Sequence, residues 1–424
     1  MRMVLAHKYF YRGGGTATYL LALIPELEKR GHECIPFTVA YDQTVPSKYS
    51  RYFVSPVGGS SETHLKHMKK TPWLMLKLLA RATWSLEAYR KALRLCDDLK
   101  PDIAYVHNLY SYMSPSPIAA FKKRGVPVVM RVSDGYLFCP AVDGWRNGRL
   151  CLDCMEYGRR RCIQYRCHKG SLASSTARTL SMAIHDAIGA YDGVDAYVVP
   201  SQYLANLLAK SRYGGRPTFV VPSFYPSATQ AARVGEDGHV LYFGRISSQK
   251  GLRTLVEAFA QVGRGHRLIL AGADLDGETD RLRSLVAGRD IEGVDLVGPQ
   301  GRRELDALIS GSLFVVVPSE WLENSPMSIL ESFAHGRAVL ASNVGGIPEL
   351  IADGAGLLFE PGNVEDLSSK MALLLADSEL RNALGSRGRA RLQTHYAPEA
   401  HCAALGQAFH RALDGVQQAS PVAA

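Results

Sequence analysis

The chain alternates short, apolar, β-branched runs with longer stretches whose apolar residues recur every three or four positions. In the first half, Met3 to Ala6, Glu33 to Val39, Ile103 to Val106, Val126 to Met130, Ala196 to Val199 and Phe219 to Val221 read as strands. The periodic segment from about Thr16 to Arg30, stopped by Gly31, reads as a helix between the first two, which makes a βαβ unit. The second half repeats the alternation, with strands near Val240, Leu268, Asp295, Phe314, Ala338 and Leu357. Between the halves, Ser223 to Gly238 turns small and polar and carries Pro226, as a linker does. The pattern predicts an α/β fold of two doubly wound, Rossmann-like domains facing across a cleft, residues 1–222 and 239–397, joined by 223–238. Ligands in such sheets sit beyond the carboxyl ends of the strands. A helix from Pro398 to about residue 416 and a disordered tail over 417–424 complete the reading.

The most informative stretch runs from Pro318 to Gly336. Leu313 to Val317 is a buried strand, and Ser325-Pro326 offers an N-cap and a first helical residue, so a helix is expected from there to Gly336. A helix N-terminus attracts anions through its free N–H groups and dipole. Glu331 falls roughly 7.5 Å along that helix from Pro326, a spacing that suits a ribose when a diphosphate sits at the tip. Glu323, just ahead of the cap, faces the group on the far phosphate. Taken alone, the two glutamates read equally well as surface acids. A partner motif changes that balance. After the strand His239 to Phe243 comes Gly244-Arg245-Ile246-Ser247-Ser248-Gln249-Lys250-Gly251 and a helical pattern, and an Arg with a Lys on such a loop is suited to a diphosphate.

Gly244-Arg245 with Lys250-Gly251, Glu323 and Glu331 with seven residues between them, and Val344-Gly345-Gly346-Ile347-Pro348-Glu349-Leu350 together resemble glycosyltransferase family 4, the retaining enzymes of GT-B fold. The resemblance covers most of residues 238–365. It implies that Arg245 and Lys250 hold a donor diphosphate (a UDP- or GDP-sugar), Glu331 the ribose and Glu323 the sugar hydroxyls. Ser325, Met327 and Ser328 then supply groups at the helix tip, because Pro326 has no N–H. It also implies that the last helix returns to the first domain and that no cofactor is needed for catalysis. Where many members carry Phe-Gly after the first glutamate, this chain has Asn324-Ser325-Pro326. The Gly13-Gly14-Gly15-Thr16 turn is weak evidence by itself, but the resemblance places such a loop over the donor, which makes Gly14 and Gly15 candidates.

Arg131 to Pro140 resembles a His-Asp-x-Trp-x-x-Cys-Pro segment of polysaccharide-building members, with Ser133 in the His position and Tyr136 in the Trp position. Asp134 remains as a candidate to orient or deprotonate an acceptor hydroxyl. His107, at the end of a strand, is a second candidate, and a structural buried histidine is the competing reading. Retaining sugar transfer to a saccharide or lipid-linked acceptor, in exopolysaccharide, capsule or O-antigen assembly, is the expectation. A 2-epimerase or phosphorylase of the same architecture, or a non-catalytic nucleotide-sugar binder, is the alternative.

Five of the eight cysteines, Cys139, Cys151, Cys154, Cys162 and Cys167, crowd into an insertion over 139–168. Cys151-x-x-Cys154 has metal-knuckle spacing, so structural zinc is expected, with a redox pair or unlinked thiols as alternatives. The net charge of +9 and pI near 9.1 favour anionic partners. No nucleic-acid reader motif is recognisable. Between His64 and Arg94, basic residues alternate with Trp73, Leu76, Leu79 and Trp84, which suits either an anionic membrane surface or a core-packed helix with a solvated basic face. No apolar run reaches transmembrane length and the N-terminus lacks a signal-like core, so a cytoplasmic protein, peripheral on the inner membrane face, is expected.

Overall fold

The computed structural model describes residues 1–11, 15–57, 71–225, 238–274 and 276–419. Two six-stranded sheets form its frame. The first contains β1 (Arg2–Ala6), β2 (Glu33–Phe37), β3 (Ile103–His107), β4 (Val128–Arg131), β7 (Ala196–Val199) and β8 (Thr218–Val220), in the order β2-β1-β3-β4-β7-β8. The second contains β9 (His239–Phe243), β10 (Leu268–Ala271), β11 (Val294–Gly298), β12 (Ser312–Val317), β13 (Ala338–Ser342) and β14 (Leu357–Phe359), in the order β11-β10-β9-β12-β13-β14. Every pairing within both sheets is parallel. An antiparallel hairpin of β5 (Trp145–Arg146) and β6 (Arg149–Leu150) lies in the cysteine-rich insertion, and the sequence pattern gave no hint of it.

Parallel strands need apolar cover on both faces, and the alternation along each strand supplies it. Val4 and Ala6 join one core cluster while Met3 and Leu5 join another. In the second sheet, Val240 and Tyr242 face one cluster and Leu241 and Phe243 the other. The helix Pro398–Ala419 inserts Leu405, Ala408, Phe409 and Ala412 into the cluster of Met3 and Leu5, so the chain's last helix packs on the first sheet. It continues through Ala419, into the stretch expected to be a disordered tail; residues 420–424 lie outside the described residues. Most of the expected linker, residues 226–237, also lies outside them.

Each sheet reverses its strand order once, between β1 and β3 in the first and between β9 and β12 in the second. At such reversals the following loops diverge and leave a crevice at the strand ends. The loops after β1, β3, β4, β9 and β12 therefore define the candidate site.

The basic segment folds as two helices, Pro72–Thr83 and Leu86–Leu99, capped by Thr71 and Ser85. Part of its charge is spent internally, since Arg81 and Lys91 pair with Glu87 at 2.9 and 3.3 Å. Trp73 and Leu76 remain 75% and 57% exposed, while His64, Lys66, Lys69 and Lys70 lie outside the described residues. None of the described helices is long and apolar enough to cross a membrane.

Candidate active site

Gly244 and Gly251 give the loop after β9 its shape. Gly251 has φ +64°, and a Cβ there would lie 1.9 Å from the Pro318 carbonyl oxygen, so only glycine lets the β9 and β12 loops touch. This contact brings Arg245, Lys250, Trp321 and Glu323 together. The Trp321 ring lies 5.2 Å from the Arg245 guanidinium and 5.1 Å from the Lys250 ammonium, within cation–π range. Lys250 Nζ pairs with Glu323 Oε1, which also accepts hydrogen bonds from Trp321 Nε1 at 2.7 Å and Ser319 Oγ at 3.0 Å. Glu323 is only 7% exposed. Burial disfavours its ionisation, but the Lys250 charge and these donated hydrogen bonds outweigh burial and hold it below the usual carboxylate value. Trp321, the platform for both cations, was not singled out in the sequence; its position two residues before Glu323 was the available signal.

The helix expected from Ser325 begins instead at Met327, with Pro326 as its cap at φ −66° and ψ 121°. Proline fixes φ but keeps an extended ψ here, and it disfavours a helical Ser325 before it. The first intrahelical bond is Ile329 N–H to Pro326 O at 3.1 Å, so the N–H groups of Met327 and Ser328 belong to the first turn, where helices lack internal acceptors. Ser247 Oγ, Asn324 Oδ1 and Ser325 Oγ are buried without a hydrogen-bond partner among the described residues. Such orphaned groups are rare in folded proteins and call for a partner such as an ordered water or a ligand.

Glu331 projects from the helix Met327–Ala334 to Arg302 Nη1 at 2.9 Å, and Arg302 also contacts Tyr225 and Asp306. Burial raises the Glu331 carboxyl despite Arg302. Neither Arg302 nor Tyr225 was a sequence candidate. The Val344-Gly345-Gly346 turn is explained by close backbone approach. Gly345 has φ +61°, and a Cβ there would meet the Glu323 carbonyl oxygen at 1.9 Å; the Gly346 N–H donates to that oxygen at 2.8 Å. Glu349 reaches into the other domain and accepts the N–H groups of Gln202 and Tyr203, both at 2.7 Å, at the start of the helix Gln202–Ala209. It therefore clamps one domain to the other's helix N-terminus.

Across the cleft, Asp134 Oδ2 accepts from the Tyr110 hydroxyl and Oδ1 from the Tyr136 N–H at 3.0 Å. The two tyrosine rings stack at 3.8 Å. Burial lifts the Asp134 carboxyl above its usual value, opposed by those hydrogen bonds and by the Lys8 and Arg178 charges. Lys8 lies 4.6 Å from the Tyr110 ring, and burial lowers it to about 8. Two departures from the family pattern meet here: Asn324 Nδ2 donates to the Ser133 carbonyl at 2.9 Å across the cleft.

His107, at the carboxyl end of β3, is fully buried and packed against Tyr105, Tyr19 and His7; burial together with Arg131 holds it well below the usual imidazole value, and both ring nitrogens lack a hydrogen-bond partner among the described residues. Gly15 opens the helix Gly15–Glu28 with room for a Cβ. Gly14 lies outside the described residues. The five insertion cysteines are free thiols, and Cys162 is fully buried. Burial, reinforced by neighbouring thiols, raises Cys154 to about 12 and Cys167 to about 11. Among the described residues no group of three or more Cys, His, Asp or Glu side chains is arranged to hold an ion, so the zinc expected on Cys139, Cys151, Cys154, Cys162 and Cys167 is not supported.

Two doubly wound domains with nucleotide-suited cations at a strand-order reversal define a GT-B architecture. Its solved likenesses include sucrose-phosphate synthase from Thermosynechococcus elongatus, at a TM-score of 0.69 and 20% identity over 98% of this chain and 99% of that one. Anabaena HepE in complex with UDP gives a TM-score of 0.64 at 16% identity, covering 97% and 100% of the two chains. Residues 13–226 match the family described as Glycosyltransferase Family 4, and residues 228–391 match the family described as Glycosyl transferases group 1. The chain belongs to glycosyltransferase family 4. It is 30% identical over 225 residues to the lipopolysaccharide 1,2-N-acetylglucosaminetransferase of Salmonella typhimurium, over 48% of this chain and 58% of that protein. The chain spans about half the length of the curated relatives it matches.

Proposed function

We propose that the chain is a retaining glycosyltransferase that moves a hexose-type sugar from a nucleoside diphosphate donor to a hydroxyl on a lipid-linked saccharide. The observation that carries this reading is the cluster of Arg245, Lys250, Trp321 and Glu323 at the strand-order reversal of the second sheet, opposite Asp134. As the anomeric bond breaks, charge grows on the departing diphosphate, and Arg245, Lys250 and the first-turn N–H groups after Pro326 supply fixed positive potential there. Lys250 exchanges part of its pairing with Glu323 for the phosphate, which frees Glu323 to accept sugar hydroxyls. Glu331 binds the ribose. Asp134, raised by burial, serves as an acceptor-side base closer to neutrality than an ordinary aspartate. For retention, we favour same-face attack in which a donor phosphate oxygen helps take the acceptor proton.

The UDP bound in the HepE complex supports a uridine nucleotide, and the likeness to the lipopolysaccharide 1,2-N-acetylglucosaminetransferase supports a glycan acceptor. Exposed Trp73 and Leu76, beside Lys77, support docking to an anionic membrane. Flotation with anionic vesicles that is lost in Trp73→Ser/Leu76→Ser supports this attachment, and absence of wild-type flotation rejects it. Nucleoside diphosphate release from a panel of UDP- and GDP-sugars, followed by mass spectrometry of lipid-linked products, tests the activity. Lys250→Ala and Glu331→Ala are expected to cut turnover by about 10²-fold or more with the fold retained; wild-type rates in both reject the assignment.

A further inference from the structure

The cysteine-rich insertion does more than decorate the first domain, because it carries Asp143 into the cleft. Asp143 Oδ2 accepts a hydrogen bond from Gln249 Nε2 at 2.8 Å, and Gln249 lies on the cation loop between Arg245 and Lys250. The neighbouring Gly144, at φ +58°, packs against Leu322, the residue just before Glu323; a Cβ there would lie 3.3 Å from the Leu322 Cβ. The Cys151 N–H in turn donates to the Gly144 carbonyl at 2.8 Å, so the cysteine segment braces the turn that presents the carboxylate. Asp143 is therefore held against both motif loops of the opposite domain.

The direction of its neighbours matters as much as the contact. The charges that act on Asp143 are Arg245, which the proposed function assigns to the leaving diphosphate, and Asp134, which it assigns to the acceptor. A sugar in transfer has to pass between those two groups. Its hydroxyls need acceptors on the face away from Glu323, and on the first domain Asp134 is already assigned to the acceptor. Burial raises the Asp143 carboxyl, while Gln249 and Arg245 oppose the rise.

We propose that Asp143 is a specificity-determining residue that binds a hydroxyl of the donor's sugar from the first-domain side, opposite Glu323. This deepens the reading of the site as a nucleotide-sugar site and rests on it. The consequence is a division of labour: Arg245, Lys250 and Glu331 recognise the nucleotide, whereas Asp143 and Glu323 recognise the sugar between them. The cysteine-rich insertion then becomes a part of donor selection, and the Asp143 position a place where sugar preference can change without loss of nucleotide affinity.

Calorimetric binding with UDP, GDP and their glucose, galactose, mannose and N-acetylglucosamine derivatives tests this with wild type, Asp143→Asn and Asp143→Ala. Both variants are expected to bind the free nucleoside diphosphate within about twofold of wild type, and to weaken the preferred nucleotide sugar, or its kcat/KM, by about 10- to 100-fold. A deoxy donor lacking the contacted hydroxyl should erase the difference between wild type and variant. Equal loss of nucleotide and nucleotide-sugar affinity in a folded variant, or no loss of either, overturns the role. If wild type binds these donors but turns none over, the transfer activity fails while the sugar-specific binding difference still decides for or against Asp143. If wild type binds none of them, both fail.

Discussion

Replacing Lys250 with methionine leaves Glu323 buried without its cation. The side chains of Lys250 and Glu323 are 14% and 9% exposed, so water screens little of the pair. Removing one partner of a buried ion pair commonly costs about 3–5 kcal/mol. Trp321 and Ser319 still donate to Glu323, which places Lys250→Met near the lower end, about 3 kcal/mol at pH 7.5. In wild type the folded Glu323 carboxyl lies below its ordinary value. Its stabilising contribution is therefore present above the unfolded pKa and lost as pH falls through the lower, folded one. In Lys250→Met, burial dominates and the folded value rises above the unfolded one. The penalty is then full at neutral pH and shrinks as acid protonates the glutamate. Urea unfolding at pH 7.5 and pH 5 should show wild type favouring the higher pH relative to the variant, and Lys250→Met/Glu323→Gln should recover most of the loss. A Lys250→Met protein within about 0.5 kcal/mol of wild type at pH 7.5, with the same pH dependence, would refute the reasoning, since surface pairs are worth no more than that order.

Glu349→Ala removes the acceptor of two helix N–H groups in the opposite domain and should cost about 1 kcal/mol, as lost caps do; urea unfolding reads the cost, and small-angle scattering should show a wider spread of domain separations. Asp134→Asn should lower kcat by about 10²-fold or more and remove an acid limb that in wild type lies above the ordinary aspartate range, because burial raises Asp134; an unchanged pH–rate profile contradicts the base assignment. Gly345→Ala places a Cβ 1.9 Å from the Glu323 carbonyl oxygen at φ +61°, so it should lower the melting temperature and weaken donor binding; a variant with unchanged values would show that the two loops separate freely.

The parallel frame was legible because its strands are buried on both faces and announce themselves as apolar runs, as Leu313 to Val317 does. The donor motif was legible for a different reason: cations, glycines and glutamates at fixed spacing have few structural uses in common. What escaped was set by contacts between distant segments. Trp321 gains meaning only once two loops approach over Gly251. Asn324 and Ser133 looked like separate departures, yet they form one hydrogen bond across the cleft. Asp143 sat beside the cysteines and drew no notice, since nothing in its local sequence says that Gln249 lies opposite. His107 shows another limit, for the complete burial of a strand-terminal histidine depends on distant segments and is not written in its neighbours. The cap at Ser325 failed because proline can end a loop as readily as begin a helix.

The most direct test of the account is a structure of the protein with bound UDP or GDP. The account predicts the diphosphate between Arg245 and Lys250 at the helix tip ahead of Met327, with both ribose hydroxyls on Glu331. A nucleotide bound away from the β9 and β12 loops, or one whose ribose lies beyond hydrogen-bond reach of Glu331 while Arg245 and Lys250 stay free of phosphate, would contradict it.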